Sequence, residues 1–508
     1  MPLFNHISLL FLLAGSEALT QRHDAESILT SQECCNAIRL DFASIVHGPG
    51  SNDYSDRLST YYSQQQHDYS PACYVKPKSA EDISRILKIA ASHHCQFAVA
   101  SGGHMAWAEA SNTGNGFVFD LRDMNRIDIS VEHKTVSLGP GSKWISVYKA
   151  MDAHNLTVPG ARMSDVGVGG FLAGGGYPFT SKTPGFGANS VFNYEVVLSD
   201  GTIVEVNADS HSDLFWALKL AGTNYGIITR FDMNADASTD IWGAVGLYPS
   251  TEQTRTEIFP AYEEYSHRND NTDLFISVGH LKAMGKEMVM TCVVNSAGRP
   301  QKPMSPVEPV IYNEKSGQKN EVIHDPIDSL LQTPSRTAWY TLTIKVSTKL
   351  FFDFGKMAAD VFAPFEDAPG FSTMLGFQPF PKTFIEGNRG SPVYNTMKEP
   401  DEDLTLVLIM TNWEDPADDK RMKDATSKLG ELVQKEARNL DLLVNFTYLN
   451  YANKDQSVYE QSLTPADLAR MLRIRDKYDP STIFRTLWKG GYKLPETPAA
   501  QGSSKDEL

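Results

Sequence analysis

At roughly 150 residues per domain, the 508-residue chain holds two or three domains with a sizeable core, which excludes a peptide or a disulfide-stapled miniprotein. Apolar residues at 41% and charged residues at 21% match a soluble globular average and argue against long disorder or a multi-span membrane architecture. Lys and Arg number 46 against 62 Asp and Glu, and the resulting charge of -16 repels nucleic acid and anionic membranes, leaving a soluble enzyme or binding protein.

Residues 7–14 (ISLLFLLA) are an apolar run followed by small residues up to Ala18. The run is too short to cross a bilayer, and the abrupt change to polar QRHDAES predicts a signal peptide over 1–18, so no stable membrane insertion is expected. Residues 19–68 form an N-terminal arm. Cys34, Cys35, Cys73 and Cys95 crowd the first fifth of the chain, while Cys292 stands apart. In an oxidising lumen the four form two bridges between the arm and the first sheet, with three pairings open and an adjacent Cys34–Cys35 pair strained. No C-x-x-C or spaced His pair accompanies them, so no metal site is expected.

From residue 69 the pattern is α+β. A strand at 73–75 precedes a helix opened by Ser79, with Asp82 as part of a capping box and Ile83, Ile86, Leu87 and Ala90 on one face. A short buried strand at 97–100 runs into Ser101-Gly102-Gly103-His104. Strands at 116–121 and 135–138, a helix at 142–154, a hairpin of 194–198 with 202–206, a helix at 213–220 and a strand at 226–231 complete a first domain, 69–235. Over 236–445, strand candidates at 274–278, 288–294, 339–346 and 404–411 alternate with helices at 356–361 and 417–436. The Pro-rich stretches RPQKPMSPVEP and GFQPFPK read as loops, and the whole predicts a second, antiparallel sheet with helices on one face. Asn155 (NLT) and Asn445 (NFT) are glycosylation sequons. The segment 446–494 closes the fold, and the tail 495–508 ends in Lys505-Asp506-Glu507-Leu508, an address that the KDEL receptor reads to return proteins to the endoplasmic reticulum lumen.

The densest chemical signal is VGVGGFLAGGGY at 166–177. Glycines packed in this way let a ligand approach the main chain and let successive N–H groups form a nest for phosphate oxygens. The two common phosphate motifs are absent: there is no G-x-x-x-x-G-K-[ST], and the G-x-G-x-x-G frame from Gly167 breaks at Leu172. Gly102 and Gly103 strip bulk from the chain before His104, so a flat ligand can lie there with the imidazole directed at it. Two further segments, GTNYGIIT at 222–229 and YLNY at 448–451, set polar and aromatic groups at strand ends.

SGGH at 101–104, DVGVGGFLAGGGY at 165–177, GTNYGIIT, YLNY and YDPSTIFRTLWKGGYKL at 478–494 together resemble the berberine bridge enzyme-like flavoproteins, of the wider p-cresol methylhydroxylase/vanillyl-alcohol oxidase type. HMAWAEASN at 104–112 is similar to fungal members associated with secondary metabolism. The resemblance implies an α+β, two-domain flavoprotein: an FAD-binding domain at 69–235, a substrate-binding domain at 236–445 and a C-terminal segment returning to the FAD domain. It implies FAD with its pyrophosphate on the glycine turns, and His104 matches the histidine that bonds covalently to the flavin 8α-carbon, making the flavin a stronger oxidant. Ser101, Gly102, Gly103, Gly139, Gly141, Gly167, Gly169, Gly170, Gly174, Gly175 and Ile228 fall at cofactor-contacting positions, with Asn450 orienting ring or substrate. Met163 stands where some relatives carry a second flavin-bonding cysteine, so a single covalent bond is expected. Ala100 replaces a frequent Arg before SGGH, and Pro178 and Pro184 leave the oxygen-gating residue unassigned.

Flavin oxidation needs a C–H bond over N5 and a base for an O–H or N–H proton. Tyr448 and Tyr451 are the candidates, either one acting through a depressed pKa, and packing against the flavin is the plainer role for both. The expected function is an FAD-linked oxidoreductase, oxidase or dehydrogenase, acting on an alcohol, amine or activated C–H of a small metabolite, with O2 as possible acceptor. The alternatives are a carbohydrate oxidase, since an acidic, aromatic cleft accepts sugars, and a flavin-binding protein that shapes a substrate without net redox change.

Overall fold

The computed structural model describes residues 29–178, 185–268, 273–323 and 335–496. The expected leader at 1–18 and the KDEL tetrapeptide lie outside them. Among the described residues the fold is α+β. A four-stranded sheet runs Val46–His47, Cys73–Val75, Phe117–Asp120, Phe97–Ala100, the last two contacts parallel. Beside it a five-stranded antiparallel sheet runs Ile127–Ser130, Thr135–Leu138, Ile227–Asn234, Val191–Val197, Ile203–Asn207. The helix Ala80–Ser92 starts where its cap predicts: the Ser79 hydroxyl accepts from Asp82 N–H. The Asp82 carboxylate accepts from Lys78 N–H, one residue earlier than a closed capping box requires.

Two disulfides, Cys34–Cys95 and Cys35–Cys73, select one of the three open pairings. Adjacent residues on the helix Ser31–Phe42 point about 100° apart, so each cysteine reaches a different neighbour. One partner lies just beyond Ala80–Ser92 and the other begins the strand Cys73–Val75. Asn155 and Asn445 are both on the surface.

The second part is one antiparallel sheet of eight strands in the order Ile311–Gly317, Ile241–Pro249, Lys286–Asn295, Leu274–Ala283, Ser372–Phe380, Leu404–Trp413, Arg336–Lys345, Leu443–Val444. Successive side chains in a strand point to opposite faces. In Leu404–Trp413, Val407 and Ile409 therefore pack into the core with residues of the helices Glu252–Ser266, Thr348–Phe362 and Asp419–Asn439, while Leu408 and Met410 line a cavity on the other face. In Ser372–Phe380, Leu375 and Phe377 likewise join the core, and Met374, Gly376 and Gln378 line the cavity.

The reading of GFQPFPK as a loop is corrected: residues 376–380 finish the strand Ser372–Phe380, with Pro379 opposite Thr405. Pairing with Leu274–Ala283 has already ended at Phe377, so the N–H that Pro379 lacks has no ladder partner to lose. The strand Ile241–Pro249 and the helix Glu252–Ser266 are additions to the predicted set. The chain then returns: Phe97 N–H donates to Leu487 O and Lys489 N–H to Phe97 O, both at 2.9 Å, extending the first sheet.

The disulfide pairing yields a direct test. In Cys34→Ser, non-reducing peptide mapping should still join the peptide carrying Cys35 to that carrying Cys73, with Cys95 a free thiol; Cys35 found on Cys95 would refute the pairing. Loss of one such cross-link should lower stability by about 2–5 kcal/mol, read in chemical denaturation.

Candidate active site

The strand Phe97–Ala100 delivers the chain to a bend at 101–104 held from behind by the arm. Arg57 Nη1 donates to Ser101 O at 3.1 Å, Tyr62 N–H to Gly103 O at 3.1 Å, and Gln66 Nε2 to Gly103 O and Met105 O at 3.3 and 2.8 Å. Arg57 and Gln66 are fully buried. With its carbonyls occupied in this way, the bend keeps the N–H groups of Gly102, Gly103 and His104 without an acceptor among the described residues. Gly103 has φ +74°, and a Cβ on it would meet Arg57 Nη2 at 2.7 Å. A Cβ on Gly102 would lie 2.4 Å from Gly167 N, so the two glycine segments touch backbone to backbone. Ser101 Oγ donates to Pro140 O at 2.6 Å, tying in the turn that follows Thr135–Leu138.

Gly167 caps the helix Val168–Ala173. Gly102, Gly103, Gly167, Gly169, Gly170, Gly174 and Ile228 all line one cavity against the eight-stranded sheet, together with Ser101 and His104. At Gly170 a Cβ would have nothing within 4 Å, so it looks onto open space. Gly139, Gly141 and Gly175 do not line the cavity. The first two let the chain pass the turn before it, a Cβ falling 2.1 Å from Met124 O and 1.8 Å from Leu121 O, and Gly175 serves a turn at φ +93°. Unpaired N–H groups in a bend against a glycine helix start suit phosphate oxygens, and the open strip at Gly170 suits a flat ring system.

His104 Nε2 lies 3.2 Å from Asp165 Oδ1, off the line of a hydrogen bond. Burial opposes ionisation of Asp165, but His104, with Lys143 behind it, outweighs burial and holds the carboxyl below its usual range. Tyr62 stacks on the imidazole with ring centres 4.2 Å apart, and meets Trp339 of the second sheet edge-on at 5.8 Å. Tyr62 belongs to the arm, where no sequence motif marks it.

The YLNY segment is a short turn against the glycine helix. Asn450 Nδ2 donates to Phe171 O at 3.0 Å and to the Tyr448 hydroxyl at 3.1 Å. The Tyr448 oxygen also accepts Tyr177 N–H at 2.7 Å, and its ring stacks on Phe186. Burial pushes the Tyr448 phenol well up, so the depressed pKa expected of a base is not found there. The Tyr451 hydroxyl is hydrogen-bonded to Arg162 Nη2 at 2.5 Å and donates to Gln378 Oε1 at 3.3 Å. Arg162, Gln378, Tyr62 and Trp339 are site residues that motif reading passed over; an arginine inside GARMSDVGVGG was the one visible signal. The expected acidic cleft is also corrected: among the described lining residues there is no Asp or Glu.

Gly102→Ala should force the two glycine segments apart. Overpacking of roughly 1–3 kcal/mol predicts flavin binding weakened about 5- to 150-fold. Visible absorbance of the purified variant checks this, and full flavin occupancy would refute the close contact.

Residues 71–207 match the family described as FAD binding domain. The FAD-dependent monooxygenase tpcD of Cochliobolus heterostrophus is 28% identical, with 93% of this chain and 94% of that protein covered. The FAD-dependent monooxygenase drtC of Aspergillus calidoustus is also 28% identical, covering 92% and 91%. Among solved structures, berberine bridge enzyme from Eschscholzia californica superposes with TM-score 0.72 at 16% identity over 91% of this chain and 100% of that one. A xylooligosaccharide oxidase from Myceliophthora thermophila gives 0.71 at 18%, over 92% and 100%. With residues 71–207 matched as an FAD binding domain and nearly the whole length matched by FAD-dependent relatives, the chain is an FAD-dependent oxidoreductase, and its fold is that of berberine bridge enzyme and the other solved flavoenzymes of the p-cresol methylhydroxylase type.

Proposed function

We propose that FAD is held through a single covalent bond to His104 and that the enzyme oxidises an alcohol, amine or activated C–H of a small secondary metabolite, with O2 as final acceptor. The observation that carries the reaction is Tyr451: a phenol that lines the same cavity as His104 and is hydrogen-bonded to the guanidinium of Arg162. The Arg162 guanidinium donates to Tyr451 Oη and would compensate negative charge on that oxygen during the proton transfer. Tyr451 Oη then takes the proton from the substrate hydroxyl or amine, and Gln378 keeps that oxygen oriented. Bound FAD supplies a two-electron acceptor for the hydride released with that proton. Tyr448 holds Tyr177 and Asn450 in place, and Met163 leaves the second attachment position without a nucleophile.

At the attachment residue, the Asp165 carboxylate lies beside Nε2, which leaves Nδ1 as the ring nitrogen for the proposed bond. The relatives named monooxygenases support use of O2. A neutral sugar needs many hydrogen-bond partners, and the sheet side of the cavity offers few polar groups among Val245, Val278, Met290, Trp339, Met374, Leu408 and Met410, which favours an apolar metabolite over a carbohydrate. We further propose an endoplasmic reticulum lumen residence, with removal of 1–18, glycosylation at Asn155 and Asn445, and retrieval through the KDEL receptor. Two disulfides suit that compartment.

After acid denaturation, flavin should remain on the tryptic peptide containing His104 and be absent from His104→Ala. Release of all flavin from the unmutated protein would refute the covalent bond. Tyr451→Phe should keep its flavin but reduce it with substrate about 10²- to 10⁴-fold more slowly in stopped-flow absorbance, whereas Tyr448→Phe should not match that loss. Equal losses would reassign the base.

A further inference from the structure

The cavity carries a single permanent charge. Its described lining residues include no Asp, Glu or Lys, and Arg162 is the one arginine. The chain as a whole bears -16, so this interior is of opposite sign to the exterior. Arg162 Nη2 is used within the protein, on Gln378 Oε1 and on the Tyr451 hydroxyl. Nη1 and Nε make no hydrogen bond among the described residues, and no described carboxylate pairs with the guanidinium. Its other close polar neighbours do not offset the charge: burial pushes the Cys292 thiol up to about 11, Arg162 itself pulling the other way, and burial keeps Tyr177 and Tyr448 protonated. A guanidinium edge held in an apolar cavity without partners is costly unless a ligand completes it.

We propose that the substrate carries an oxyanion, a carboxylate or an acidic phenolate, which pairs with the free edge of Arg162 while its apolar body packs against Trp339, Met290, Met374 and Met410. This rests on the reading of the cavity as the active site. Arg162 is then a specificity-determining residue: it selects acidic metabolites over their neutral counterparts and excludes cations. Because Nη2 also touches Tyr451, the anchored acid lies within one side-chain width of the proton acceptor, and the oxidised carbon sits at a fixed distance from the acidic group. The thioether and indole walls recognise shape loosely, so the charge supplies the orientation that they do not.

The test uses the flavin-loaded full-length protein and calorimetric titration with four probes of one shape class: 2-naphthoate, 2,4-dinitro-1-naphtholate, 2-naphthylmethanol and 2-naphthylmethylammonium. One or both anions should bind about 10- to 100-fold more tightly than the alcohol, as expected of a charge-assisted hydrogen-bonded pair, and the ammonium more weakly than either. Preference for the naphthoate alone assigns a carboxylate, for the naphtholate alone a phenolate. In Arg162→Gln the preference should vanish with flavin content unchanged, and in Arg162→Lys it should be partly kept. No preference for either anion in the unmutated protein, a preference that survives Arg162→Gln, or loss of flavin from both variants would overturn the inference, the last by assigning Arg162 to the cofactor. Protein isolated without any flavin, and unable to take up added FAD, would instead sink the flavoenzyme reading; anion selectivity and flavin content are thus scored separately.

Discussion

The hold of the N-terminal arm on the bend at 101–104 is the constraint on which the site depends. Three donors, the Arg57 guanidinium, Tyr62 N–H and the Gln66 amide, take the carbonyl oxygens of Ser101, Gly103 and Met105. A bend with its carbonyls satisfied on one side keeps its N–H groups for the other, and that other side is where the glycine helix start arrives. The same arm reaches the second sheet: Gln64 N–H donates to Ser335 O, Gln65 and Thr337 exchange two hydrogen bonds, and Arg336 pairs with Asp68 and Asp419. The distance between the bend at 101–104 and the eight-stranded sheet is therefore set by one short stretch of chain. Tyr62 completes the link, stacked on His104 and packed edge-on against Trp339.

Charge is segregated with the same economy. Carboxylates dominate the surface and stay out of the cavity, so the potential inside is decided by Arg162 and by whatever the chain admits beside it. Asp165 touches His104 from outside the lining set. The two sides of the cavity thus differ in kind. One presents backbone, through glycines that leave N–H groups accessible. The other presents side chains, through alternate residues of strands whose opposite faces are sealed under three helices.

Much of the cofactor half was legible in the sequence because its chemistry needs glycine where no other residue fits: Gly102 and Gly167 touch through their backbones, and Gly174 leaves room for Asn450, whose Oδ1 would lie 2.0 Å from an added Cβ. The strands Phe97–Ala100 and Thr135–Leu138 were visible as short apolar runs between turns. Gln378 was hidden because Pro379 beside it reads as a loop, and only the early end of the neighbouring strand's pairing makes a proline harmless there. Tyr62 and Arg57 carry no local pattern, since their roles come from contacts made 40 or so residues away, as Arg57 shows with Ser101. Helix geometry turns Cys34 and Cys35 to different neighbours, but which of them meets Cys95 and which Cys73 is settled only by the packing of the arm.

Those disulfides link the bend at 101–104 to the oxidation state of the chain. They close separations of 61 and 38 residues and fasten the helix Ser31–Phe42 to the strand Cys73–Val75 and to the turn before the strand Phe97–Ala100, which leads into the bend. Each removes from the unfolded ensemble freedom equivalent to about 4 kcal/mol in the chain-entropy picture. A chain still reduced keeps its glycines but has a looser grip on the arm, and hence on the bend at 101–104. The shape of that bend is therefore tied to the oxidation of two cysteine pairs that lie outside the cavity.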